Sequence, residues 1–273
     1  MQITNIEIWN PDLTPYIGTI CIHDDLISLI DTKLYDNKPH IDGGGFIAMP
    51  GFVDLHIHGA AGSDVMDATI DAYETIANAV LQEGVTAFLC TTMTQSNEAI
   101  EAAIQHFKTK TAHLKNIVGI HLEGPFVNAQ RAGAQPIEHI KPPNVELFKK
   151  WHTLSEESIK LITIAPELIQ DDFIETLVKL GTIVSAGHTD ATSEQLRYAQ
   201  QQGLRSITHL YNQMRPFHHR ETGAIGEALF NDELYCELIA DFIHCSEAAA
   251  KFALKCKGDD RLILITDAMR AKG

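Results

Sequence analysis

From residue 52 onward the chain repeats one pattern: a short run of β-branched and aliphatic residues, then a longer stretch with helical periodicity. That alternation is the signature of parallel strands joined by crossover helices. The runs cover residues 52–58, 86–92, 117–123, 159–165, 183–188, 206–211, 237–244 and 262–267. Helix-like segments at 69–82, 97–108, 193–202 and 246–257 lie between them, and Gly84, Gly203 and Gly258 stand where helices are expected to stop. Eight such units predict an α/β fold, a (β/α)8 TIM-type barrel, whose usual size is ~250 residues. A doubly wound open sheet uses the same alternation and is the alternative. The barrel is preferred because ionisable residues recur at the C-terminal ends of several runs, where barrels assemble their active sites.

Residues 1–48 follow another rule. Short runs at 3–9, 19–23 and 26–30, broken by turns at Asn10-Pro11-Asp12 and Asp24-Asp25, predict a small β module. Gly43-Gly44-Gly45 and Met49-Pro50-Gly51 mark the seam, so the expected domains are 1–48, a small β-domain, and 49–273, the barrel. Gly273 comes soon after the eighth run, so the barrel is expected to lack its final helix.

Composition narrows the function. With 45% apolar and 21% charged residues the chain can bury a large core, which excludes wholesale disorder. Thirty-six acidic residues against 21 basic ones give a net charge of −15, which repels phosphate backbones and anionic membranes. Nucleic acid and membrane are therefore not expected partners, and an anionic substrate needs a local cationic pocket. No stretch approaches the ~20 apolar residues of a membrane span. The N-terminus lacks the basic and apolar regions of a secretory signal. Five cysteines without a CxxC pair point to reduced thiols and a cytoplasmic location.

The chemistry concentrates at the ends of the runs. In Asp54-Leu55-His56-Ile57-His58-Gly59, residues two apart on a strand point the same way, about 6.6 Å apart at ~3.3 Å rise each. His56 and His58 can thus reach one metal at ~2.0–2.1 Å, with Gly59 leaving room above them. Glu123 ends an apolar run before Gly124-Pro125. His121 shares its parity but lies a layer lower, which suits a satisfied core histidine better than a ligand. His188, His209 and Asp267 occupy equivalent ends. A lone buried histidine usually serves packing, yet ionisable residues ending runs one, three, five, six and eight form a ligand pattern. Nitrogen and oxygen donors without cysteine suit Zn, Fe(II), Mn or Co.

The segments Pro-Gly-Phe-Val-Asp-Leu-His-Ile-His-Gly, His-Leu-Glu-Gly-Pro-Phe, Gly-His-Thr-Asp-Ala, Thr-His-Leu-Tyr-Asn and Thr-Asp-Ala together resemble the amidohydrolase superfamily, in its N-acetylglucosamine-6-phosphate deacetylase branch. The resemblance implies Glu123, His188 and His209 as principal metal ligands, and His56 and His58 as the pair that holds a second metal, so one or two divalent metals per chain. It implies Asp267 as the catalytic aspartate, accepting a proton from water and delivering it to the departing amine. It assigns sugar-phosphate contacts to Ala134, Asn212, Gln213, Arg220 and His244. A guanidinium fork suits phosphate recognition in an acidic protein. His219 beside Arg220 can assist, whereas His218 is expected to be solvated. Many members carry a histidine where Gln135 stands, so a substrate contact is expected to differ. Members also continue beyond the position of Asp267, which implies a missing final helix and missing strands of the small domain, and they form homodimers. The expected activity is deacetylation of N-acetylglucosamine 6-phosphate. Alternatives are an N-acetylgalactosamine-6-phosphate deacetylase, a cyclic amidohydrolase, or an inactive truncated fragment.

Overall fold

A computed structural model describes residues 1–10, 14–33, 39–170 and 172–273. The expected turn at Pro11-Asp12 lies outside them. The chain divides into two compact units, Met1–Phe52 and Val53–Gly273.

In the first unit β1 (Gln2–Ile8) is central: β2 (Tyr16–His23) pairs with it antiparallel, and β3 (Leu26–Asp31) pairs with β2. On its other side β4 (His40–Asp42) and β5 (Ile47–Ala48) both run parallel to β1. Alternation along β1 buries Ile6 and Ile8 against Ile20, giving this unit its own small core.

The larger unit contains an eight-stranded parallel sheet whose spatial order follows the chain. Its members are β6 (Phe52–Ile57), β9 (Val85–Thr92), β10 (Ile117–Glu123), β11 (Ile159–Ile164), β12 (Ile183–Ala186), β13 (Ser206–Ile207), β14 (Tyr235–Ile239) and β15 (Leu262–Ile265), while β7 (Gly59–Ala60) and β8 (Ser63–Asp64) form a separate hairpin after β6. Sequential order with no reversal rules out the doubly wound alternative. The two edges meet: Ile57 bridges Ala268, the Asp267 amide donates to the His56 carbonyl at 2.9 Å, and the His58 amide donates to the Ala268 carbonyl at 2.8 Å. Asp54 reinforces this seam from β6, accepting from the Thr266 hydroxyl at 2.6 Å and from the His56 amide at 3.1 Å. The result is a TIM-type barrel.

The helices form because their apolar residues recur every three or four positions. In α1 (Ile70–Gln82), Ala72, Tyr73, Ile76, Ala77 and Val80 are buried, Thr69 caps the start through its hydroxyl, and Gly84 follows the end at φ +86°. Each large side chain so buried contributes roughly 1.5–3 kcal/mol. The predicted helix 97–108 is two: α2 (Asn97–Ile104) and α3 (Phe107–Thr111), separated by His106 at φ +53°. The break lets Phe107 turn inward, its ring 5.6 Å from that of Tyr73, so burial of an aromatic side chain outweighs helix continuity. Further helices are α4 (Val145–Leu154), α5 (Phe173–Lys179), α6 (Ser193–Gln201), α7 (Gly223–Phe230) and α8 (Glu247–Lys257). Trp151 of α4 stacks on Phe126, whose ring also meets Phe173 edge-on. Among the described residues no helix follows β15, and an apolar groove of ≈ 360 Å³ lies open between β14, β15 and α8, lined in part by Leu238, Leu254, Leu262 and Leu264.

Candidate functional site

The C-terminal ends of the barrel strands converge on Glu123, the last residue of β10. Its Oε1 lies 3.1 Å from Nε2 of both His188 and His209 and 3.4 Å from His56 Nε2, while its Oε2 lies 3.3 Å from His58 Nε2. Asp267 Oδ1 sits 3.4 Å from Nε2 of His56 and of His58. The structure therefore brings all six of these sequence-predicted residues into one cluster. The five around the centre are buried, and Asp267 keeps 22% of its side chain exposed at the mouth.

The backbone presents these side chains in two ways. His56 lies in β6 and His58 just past its end, two positions apart, so pleat geometry alone sends both rings inward. His188, His209 and Asp267 instead adopt left-handed conformations, at φ +47°, +33° and +49°. This corrects the predicted strands 183–188, 206–211 and 262–267, which stop at Ala186, Ile207 and Ile265, because a left-handed residue cannot extend the ladder. The seventh strand likewise ends at Ile239, ahead of the predicted 244. Non-glycine residues in such conformations cost roughly 1–3 kcal/mol each and persist where their surroundings dictate them. Here the loops after β12 and β13 are zipped together: the Thr189 amide donates to Gln213 O at 3.1 Å, and the Arg215 amide donates to Thr189 O at 3.0 Å. Asp190 then holds both Arg131, at 2.6 Å, and Arg215, at 2.5 Å. Gly59 is needed for a different reason from the expected one. A Cβ there would overlap the Ser63 carbonyl oxygen and come within 2.9 Å of the Arg270 amide, so the site's edge hairpin requires a glycine.

Ring orientation follows from what lies behind each histidine. His188 Nδ1 is 2.8 Å from the Arg131 carbonyl and His56 Nδ1 is 3.1 Å from Glu237 Oε2. Both partners can only accept, so both Nδ1 atoms carry the hydrogen and both Nε2 atoms face the centre. Two nitrogen–nitrogen contacts result, His56 Nε2 to His58 Nε2 at 3.3 Å and His188 Nε2 to His209 Nε2 at 3.1 Å. Such pairs need a proton or a cation between them. Glu123 with His56 and His58, and Glu123 with His188 and His209, each gather ligand atoms within 4.8 Å. These residues fit two divalent cations sharing one carboxylate.

The charges in the cluster are interdependent. Burial alone would push His56 and His58 down, but the Asp267 and Glu123 carboxylates lift His56 well above its ordinary value and His58 to about 9. Burial would raise Glu123 and Asp267, yet the neighbouring imidazoles hold both well below the carboxylate range. His121 behaves as the core residue expected: Nε2 meets the Thr163 hydroxyl at 2.7 Å and Nδ1 the Leu55 carbonyl at 3.1 Å. Burial and the His56 charge push it well below its ordinary value.

The predicted sugar-phosphate contacts divide. Asn212 follows His209 and donates to its carbonyl at 3.3 Å. The Gln213 side chain packs against Gly133, the residue before Ala134. Arg220 is exposed in a turn, bonded to His219 Nε2 at 3.0 Å, with His218 Nδ1 accepting from its amide. His244 is exposed and bonded to Asp241 at 2.7 Å. Among the described residues no hydrogen bond links Arg220 or His244 to the central cluster or to each other.

Sequence reasoning missed several supports. Gln135, expected to alter a substrate contact, is buried; its Nε2 donates to Glu123 Oε2 at 2.6 Å and its Oε1 accepts from the Thr94 amide at 2.8 Å. Asp54 and Asp190 lie inside quoted motifs but were given no role there, and Glu237 lies in no motif at all, so only its place on a barrel strand could have flagged it.

Comparison with known proteins agrees with this geometry. The amidohydrolase family matches residues 47–269. An N-acetylglucosamine-6-phosphate deacetylase from Lysinibacillus sphaericus is 48% identical over 99% of this chain and 71% of its own length. One from Bacillus subtilis is 44% identical over 94% of this chain and 67% of its length. The crystal structure of the Pasteurella multocida N-acetylglucosamine-6-phosphate deacetylase superposes with a TM-score of 0.92 at 29% identity, covering 99% of this chain and 72% of that one.

Proposed function

This chain belongs to the amidohydrolase family, in its N-acetylglucosamine-6-phosphate deacetylase branch, and from that premise we propose that it hydrolyses N-acetylglucosamine 6-phosphate to acetate and glucosamine 6-phosphate. The observation that carries the reading is Glu123 joining two histidine pairs, with Asp267 facing one of them at the mouth.

Glu123, His188 and His209 would hold one divalent cation, and His56 and His58 with Glu123 a second. When bound, such a cation polarises an amide carbonyl and lowers the pKa of water from ~15.7 toward ~7. Zinc is the working assignment; Fe(II), Mn and Co suit the same donors. Asp267 Oδ1 faces Nε2 of both His56 and His58 at the mouth of the site. It can therefore take the proton of the attacking water and return it to the amine nitrogen, which leaves as a neutral amine. Ala134, Asn212 and Gln213 would position the sugar. Arg220 and His244 would bind the phosphate and hold it away from the reacting bond. Free cysteines support a reducing, cytoplasmic setting, and no helix among the described residues is long and apolar enough to cross a membrane. A homodimer is the proposed assembly.

The test is acetate release by the zinc-loaded chain. The phosphorylated sugar should be preferred over its unphosphorylated analogue, and a cyclic amide should not be opened. Asp267→Asn should retain metal and sugar yet lose about 10²–10⁴-fold in turnover, the range for a lost general acid–base. Unchanged turnover removes Asp267 from the mechanism, and preferential opening of the cyclic amide overturns the assignment.

A further inference from the structure

Glu237 stands on β14, next to β13, and its side chain is wholly buried. A buried carboxylate is costly unless it is paired and hydrogen-bonded. Its Oε2 accepts from His56 Nδ1 at 3.1 Å and from the His209 amide at 3.3 Å, whereas Oε1 has no partner among the described residues. The carboxylate therefore touches one histidine of each pair while lying outside the ring of Nε2 atoms around Glu123.

The four histidines are not supported equally. Among the described residues, His58 and His209 have no hydrogen-bond partner on Nδ1. His188 is held by a neutral carbonyl, and His56 by a carboxylate. A carboxylate behind an imidazole fixes the ring, selects the tautomer and makes the opposite nitrogen a stronger donor.

We propose that Glu237 is a positioning residue that commits His56 Nε2 to the cation position formed with His58 and Glu123, and so sets the occupancy of that position relative to the one formed by His188 and His209. Glu237 does not touch the reacting atoms. His56, His121 and Glu237 also gather within 4.8 Å, but both ring nitrogens of His121 are already bonded to Thr163 and Leu55. That triad lacks a free convergent lone pair, so Glu237 acts on His56 from behind.

The inference rests on the metal-hydrolase reading, and its test needs no turnover. Metal-free chain is titrated with zinc against a chelator. Wild type should take two equivalents. Glu237→Gln, which keeps volume and an acceptor but removes the charge, should bind the first with unchanged affinity and the second about 10- to 100-fold more weakly. Glu237→Met, which removes the acceptor, should weaken the second further. Wild-type-like binding of both equivalents by both variants overturns the proposal while leaving the hydrolase reading intact. Wild type that takes no zinc overturns both, and wild type that saturates at one equivalent overturns the proposal alone. Ring ¹⁵N spectra of zinc-loaded wild type give a check independent of any variant: His56 should carry its hydrogen on Nδ1 and ligate through Nε2. Ligation through Nδ1 overturns the proposal.

Discussion

The two histidine pairs around Glu123 present the same donor atoms from different backbones. His56 lies in one strand and His58 immediately past its end, and the continuing pleat aims both without strain. His188 and His209 come from separate strand ends, each in a left-handed conformation held by the zipped loops and by Asp190 between two arginines. One pair is thus specified locally, whereas the other depends on contacts distributed over several loops. The first should survive damage to its surroundings, and the second should not.

Removing what the pairs share gives the largest effect. Glu123→Gln should abolish metal uptake at both positions and lower turnover by about 10³-fold or more, the scale of a lost electrostatic contact at the reacting centre; metal analysis with acetate release checks this. A variant that keeps two metals would show that the pairs act independently. Next come single ligands. His188→Ala should remove activity almost completely, whereas His58→Ala should leave one metal and reduce turnover about 10- to 100-fold. Equal losses, measured with metal content on the same samples, would erase the distinction between the pairs.

The smallest effect tests the loop support. Partial burial raises the Asp190 carboxyl, but Arg131 and Arg215 more than offset this and hold it below its ordinary value. Its stabilisation is therefore complete above the unfolded value of ~3.9 and is lost as pH falls through the lower folded value. Asp190→Asn should cost about 1 kcal/mol near neutrality, with the gap to wild type closing below pH ~4 in urea titrations. The variant should loosen metal at His188 and leave His56 and His58 unaffected.

The same contrast decides what could be read in advance. A period of two places His56, His58 and Glu123 directly, because strand geometry is local. His188, His209 and Asp267 could be recognised as polar residues ending apolar runs. Their left-handed turns could not, since non-glycine residues leave no compositional trace of a positive φ, and three predicted strands ran too long for that reason. Glu237 was invisible because it meets His56 across 181 residues of sequence, only once the barrel closes. The break at His106 escaped notice because the gain from burying Phe107 against Tyr73 is a tertiary quantity.

The hydrogen bond from the Asp267 amide to the His56 carbonyl has one further consequence. The stitch that shuts the cylinder is also the anchor of the proposed proton carrier. Fraying at that edge would swing the carboxylate away from the imidazoles while the other strands remain paired. Gentle warming should therefore silence the chemistry before it melts the shape, making turnover the first casualty of loosening and a more sensitive gauge of closure than any bulk signal of folding.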